Sequence, residues 1–196
     1  RSDGVWHLAV ADLDITRAGR PWQSRRIEAH WAGAQDGKHL MIQADRIVLD
    51  NLWPLLAYLP EGPELARLRA LRAHGLVENL KARIAPGSEA RPPAYEIDAS
   101  LKEVGFDPIE RIPGLTNLAG TLHADQSGGA LHVAARELEL ELPRLFRDVL
   151  VADTVEGTVR WSIRDTEIEV QSEELHLSGD DGRASAALRL QLPRDD

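Results

Sequence analysis

The chain has 196 residues, 43% of them hydrophobic and 28% charged, with a formal net charge of −9 and no cysteine. That length can bury a sizeable core, and the composition is that of an ordered globular chain. The acidic balance argues against non-specific binding to nucleic acid or to an anionic membrane surface, and the missing thiols exclude disulfides and thiolate metal sites.

Period-two alternation of apolar and polar residues dominates from one end to the other, so strands are expected near 5–15, 24–33 and 38–50. A helical interlude follows. Leu52, Leu55, Leu56 and Leu59 fall at the spacing of one helical face, with Asp50 or Asn51 as N-cap. Leu65, Leu68 and Leu71 continue the pattern after Pro63, and Gly75 stops it, giving a short two-helix insertion over 51–74. Strands resume near 76–85 and 94–104, joined by a Pro- and Gly-rich loop, and then near 118–125, 130–142, 154–164, 167–178 and 183–192.

The turns set testable registers. A turn at Asp36–Gly37 places Trp31 opposite Ile42 and Ala29 opposite Ala44. A turn at Asp165–Thr166 places Ile163 opposite Ile168 and Trp161 opposite Val170. A turn at Asp181–Gly182 places Leu177 opposite Ala186 and Leu175 opposite Leu188. Each register leaves one dry face, with Glu28, His30, His39, Gln43, Arg160, Ser162, Glu167, Glu169 and Gln171 on the wet one.

Three strands share a pattern: LMIQADRIVL (40–49), LHVAARELEL (131–140) and IEVQSEELHL (168–177). In each, the apolar parity changes at a charged pair: Asp45–Arg46, Arg136–Glu137 and Glu173–Glu174. A β-bulge at that point would bend the strand while keeping its apolar residues on one face. GTLHAD (120–125) and GTVRWS (157–162) also match, which suggests a repeating array of sub-units near 1–50, 76–125 and 118–196. Two short helices cannot cover ten long strands. Either the sheet packs on itself, which composition alone favours, or its dry face is a groove for an apolar ligand.

The stretch IPGLTNLAGTLHADQSGGALHVAARELELELPRLFRDVLVADTVEGTVRWSI (112–163), with ADRIVLDNLWPLL, GLVENLKARIAPG and VWHLAVADLDITRAGRPW, resembles the YhdP branch of the AsmA-like envelope proteins. The resemblance rests on the order and spacing of many small elements, none of them catalytic. It implies a mainly β chain: a curved antiparallel sheet of long hairpins, forming a taco-like β-groove. It further implies an internal segment of a longer periplasmic protein anchored in the inner membrane, carrying phospholipid toward the outer membrane. The opening Arg1, with no start Met, fits an excised piece. The groove reading assigns the lining to Trp31, Leu40, Ile42, Leu122, Leu131, Val133, Val159, Trp161, Ile163, Ile168, Val170 and Leu188. Its partners would be phospholipid acyl chains, neighbouring segments of the same chain and other envelope proteins, with no nucleic acid.

Catalytic and metal chemistry find little support. His123 and His132 would face each other across a Ser127–Gly128 turn, but no third or fourth ligand is fixed by sequence. SGDDG (178–182) lacks the spaced acidic series of a calcium loop. No GxSxG elbow occurs, and SGG is too short to cradle phosphate. The expectation is a non-enzyme without cofactor or metal. Two other readings stay open: a structural or protein-docking β-domain with a self-filled core, and a glycan-binding β-domain using Trp6, Trp22 or Trp31 as stacking platforms.

Overall fold

The computed structural model describes residues 5–17, 19–32, 38–53, 66, 69–87, 93–109, 113–143, 147–164, 166–179 and 182–193, apart from the side chains of Ile15, Arg17, Arg20, Trp22 and Leu192. Ten strands run in chain order: β1 (Trp6–Arg17), β2 (Arg20–Ala32), β3 (His39–Val48), β4 (His74–Ala85), β5 (Ala94–Phe106), β6 (Gly114–Asp125), β7 (Gly128–Glu141), β8 (Leu150–Ile163), β9 (Glu167–Gly179) and β10 (Gly182–Pro193). They form one antiparallel sheet in unbroken sequence order. The sheet is curved and does not close. Among the described residues, substantial contacts join only consecutive strands, apart from the 3-10 turn Leu49–Asn51 against β4. The sandwich that composition favours is therefore not formed.

Most of the expected helical insertion, residues 54–65, 67 and 68, lies outside the described residues; Ala66, Arg69 and Ala70 are helical. The N-cap expected at Asp50 or Asn51 belongs to that segment, and the described turn beside it is the 3-10 turn Leu49–Asn51. Val48 precedes the 3-10 turn, and the Asp50 carboxylate accepts the Gly75 N–H at 3.1 Å, tying the start of β4 to the end of β3.

The registers divide instructively. Ile163 does face Ile168, and Trp161 faces Val170. The β2–β3 pairing is displaced by two residues: Ala32 meets His39, so Trp31 faces Leu40 and Ala29 faces Ile42. At β9–β10, Gly179 meets Gly182, so Leu177 faces Ala184 and Leu175 faces Ala186. A slip of two leaves every side chain on its own face, because the strand period is two. The β6–β7 turn is Gln126–Ser127, with Asp125 opposite Gly128. The Asp125 carboxylate fixes it, accepting Ser127 N and Oγ at 2.6 Å each and Gly128 N at 3.1 Å. An Asx-type turn of this kind outweighs the pull of the glycine pair toward the central turn positions.

Bulges occur where charge interrupts the apolar pattern. Glu173 and Glu174 together oppose Thr158 on β8 and Ala187 on β10, a two-against-one bulge on both sides. In β7, Glu137 has φ 51°, and the pairing with β6 jumps between Thr116–Glu139 and Gly120–Val133. The Asn117 side-chain N–H bonds the Glu137 carbonyl at 3.0 Å across that gap. Asp45–Arg46 behaves differently. Here β3 keeps its register with β4, and the left-handed residue is Asn79 of β4, at φ 52°. The Asp45 carboxylate instead reaches β2, accepting Arg25 N at 2.9 Å, Arg26 N at 3.0 Å and the Ser24 hydroxyl. Asp12, Glu103 and Asn117 are also left-handed, so irregularities recur in strand after strand and bend the sheet.

The buried hydrophobic cluster is Val104, Leu118, Val133, Ala135 and Val155, on β5 to β8. They are 2 to 9% exposed although no second layer covers them among the described residues. Neighbours on the same curved face shield them.

Candidate lipid-binding face

Register turns the strands into transverse rows. One row reads Leu8, Ala29, Ile42, Ala82, Ile97, Ala124, Gly129, Trp161, Val170 and Leu190, crossing all ten strands without one polar side chain. At roughly 4.8 Å between strands it extends for about 43 Å. The adjacent row, one residue along each strand, reads Ala9, Glu28, Gln43, Lys81, Asp98, His123, Ala130, Arg160, Gln171 and Arg189. One face is thus predominantly apolar and the other predominantly polar, with Ala9 and Ala130 as the two apolar positions of the polar row, the division expected of a sheet with one solvated side.

The dry face has a small-residue floor. Ala82, Ala124 and Gly129 fill the middle of the ten-strand row, and Trp161 lies across Gly129: a Cβ there would meet the indole Cη2 at 2.8 Å. The next row inward carries Ala99, Leu122, Leu131, Val159, Ser172 and Leu188 over β5 to β10. The one after that carries Leu101, Gly120, Val133, Gly157, Leu175 and Ala186. Ser172 is the polar exception; it is 5% exposed and its hydroxyl has no partner.

Every lining residue expected from sequence falls on this face. Trp31 and Leu40 pair at one strand end, as do Ile163 and Ile168. Ile42, Trp161 and Val170 belong to the ten-strand row, and Leu122, Leu131, Val159 and Leu188 to its neighbour. Val133, at 5% exposure, is a core side chain rather than an open wall. Exposure rises toward the lateral edges: Leu8 is 54% exposed on β1, and Leu188 and Leu190 are 42% and 44% on β10. The sequence did not point to the Ala and Gly positions, since small residues carry no periodicity signal; only pairing reveals them.

The trough is an open surface, not a closed cavity. Open depressions of about 540, 500 and 450 Å³ also indent the surface, the largest of the three among Asp12, Asp14, Gln23, Ser24, Asp45 and Glu78, the others around Leu177–Ser178 and Arg183–Ala184. In the largest, burial opposes the charge of Asp45. The Ser24 hydroxyl and the Arg26 and Arg25 N–H groups outweigh it and hold the carboxyl below the ordinary aspartate range.

On the wet face His123 and His132 do not meet. His123 pairs with Ala130 and His132 with Thr121, because the turn lies one residue earlier than the sequence suggested. His123 Nδ1 sits 2.8 Å from Asp98 Oδ1, and that bond raises its pKa. Glu96, Asp98 and His123 bring ligand atoms within 4.8 Å of one another, all of them exposed. Glu173 and Glu174 lie in the bulge, both exposed.

Among the described residues, no helix is long and apolar enough to cross a membrane. Comparison with known families supplies a match: the family described as YhdP protein matches residues 1–195. The chain belongs to the YhdP family. No curated protein and no solved structure matches it.

Proposed function

We propose that this YhdP segment binds phospholipid acyl chains along the dry face of its sheet, as one stretch of a periplasmic conduit between the inner and outer membranes. The observation that carries this reading is the apolar row crossing all ten strands, with no second layer packed on it among the described residues. Leaving such a face in water is costly, at roughly 25 cal/mol per Å² of apolar surface, and an acyl chain recovers about 0.8 kcal/mol for each CH₂ it buries. Apolar contact discriminates weakly between chain lengths, which suits a carrier of mixed lipids. The edge strands β1 and β10 expose both lateral ends of the face, and neighbouring segments of a longer chain would continue it there. The role is binding and guidance rather than catalysis, with no cofactor or metal assigned.

Sugar stacking is less well supported. Trp6 and Trp31 pair with each other on the dry face, and Leu40 flanks Trp31. A glycan platform would set them among polar groups.

Native mass spectrometry after incubation with phosphatidylethanolamine vesicles tests the proposal. Phospholipid adducts are expected on the wild-type chain and absent from Ile42→Asp and Ile97→Asp variants that keep the β circular dichroism signal. A wild-type chain that emerges lipid-free would contradict it.

A further inference from the structure

The two strand ends of the dry face differ chemically. At one end stand Trp6 facing Trp31, Tyr95 facing Ile84, and Trp161 in the next row. No protein acceptor among the described residues takes a hydrogen bond from the indole N–H of Trp6, Trp31 or Trp161, or from the Tyr95 hydroxyl. Trp53, beyond the other strand end, does have one: its N–H bonds the Ala73 carbonyl at 2.8 Å. Toward that other end the dry face is aliphatic apart from Phe106, which has no polar atom to place, with Val104, Leu118, Ala135 and Val155 packed against Leu115, Leu138 and Leu177.

We propose that the end bearing Trp6, Trp31, Tyr95 and Trp161 is the headgroup side of the trough, and that the aliphatic end receives the methyl ends of the tails. This rests on the lipid-binding reading and adds an orientation to it. Trp and Tyr favour sites where the ring is in an apolar medium and its polar atom is in a wet one. The glycerol region of a diacyl phospholipid supplies that boundary, and its ester and phosphate oxygens are acceptors for the unpartnered N–H and O–H groups. A purely aliphatic ligand would gain nothing from those donors, and a sugar would gain nothing from the aliphatic half. The ligand class is therefore a glycerophospholipid lying across the strands' length, its polar part at the rim formed by the starts of β1 and β5 and the ends of β2 and β8.

The test uses two aromatic positions on one strand. Tyr95 and Phe106 lie at opposite ends of β5, on the dry face. At about 3.3 Å per residue the strand between them has a contour of roughly 36 Å, which the bulge at Glu103 and the curvature of the sheet shorten in space. Each is replaced separately with the photocrosslinker p-benzoylphenylalanine, and a third variant carries it at Ile97. Each protein is loaded from phosphatidylethanolamine vesicles and irradiated, and the adduct is mapped by fragmentation mass spectrometry. Adducts on the glycerol and upper acyl carbons at position 95, and on terminal acyl carbons at position 106, are expected. The same carbon distribution at both positions, or the reverse one, would overturn the orientation. So would lipid capture at position 97 with none at 95 and 106. No capture at any of the three would overturn the lipid-binding reading itself, and the orientation with it.

Discussion

Deleting Glu174 tests whether the bulge holds the apolar face together. At present Glu173 and Glu174 share one partner on each side, so Val170 and Ser172 before the bulge and Leu175 and Leu177 after it point the same way. Removing one residue restores one-to-one pairing but turns one of these sets to the wet face. The set with the looser anchorage is Leu175 and Leu177, both half-buried. Full burial of a leucine contributes about 1.5–3 kcal/mol, so half-burial of two amounts to about 1.5–3 kcal/mol. The bond between Thr154 Oγ1 and Ser178 Oγ, 2.7 Å long, is lost as well, adding about 1 kcal/mol. Glu174→Ala keeps the residue count and loses an exposed bond from Ser185 and an exposed 3.8 Å contact with His176 Nε2, about 0.5 kcal/mol together. Urea unfolding followed by far-ultraviolet circular dichroism measures both. A deletion variant as stable as Glu174→Ala would refute the idea that the extra residue sets the face.

Three further changes follow from the same geometry. Gly129→Ala drives a Cβ into the Trp161 ring and the His123 carbonyl, so a loss of about 1–3 kcal/mol and red-shifted tryptophan emission are expected in a denaturant titration. Asn79→Val forces a β-branched residue to φ 52° and costs about 1–2 kcal/mol by thermal melting, whereas Asn79→Gly is neutral or slightly stabilising. Asp45→Asn weakens the anchorage of Ser24, Arg25 and Arg26 by about 2 kcal/mol at neutral pH. Because the folded pKa of Asp45 is lowered, its contribution is complete above about pH 4 and disappears as pH falls through that lowered value, so wild type and variant converge in acid.

Much of this fold was legible in the sequence, for reasons that particular residues show. Ten alternating runs gave ten strands, and the dry-face residues stayed together even where the register slipped, because all three slips, at β2–β3, β6–β7 and β9–β10, were by two residues. The Glu173–Glu174 bulge could be read from the parity change of its own strand. The parity change at Asp45–Arg46 marked an irregularity too, but did not show that its left-handed residue belongs to the partner strand, at Asn79. Asn79 and Asn117 did carry a signal, as asparagine tolerates positive φ better than most residues, but within a strand pattern it is easily passed over. The Ala82, Ala124 and Gly129 floor was invisible until pairing aligned it. Openness of the sheet was also hidden, because a dry face reads the same whether another sheet or a ligand covers it.

The absence of cysteine permits a direct test of the central claim, that the dry face and not the wet one holds lipid. Single cysteines at Ile42, Ile97 and Val170 occupy the apolar row, and at Gln43, Asp98 and Gln171 the polar row one residue away. Maleimide labelling rates are measured with and without phosphatidylethanolamine loading. Strong protection of the first three and unchanged rates at the other three is the predicted result. Equal protection on both faces, or none on either, would contradict the account.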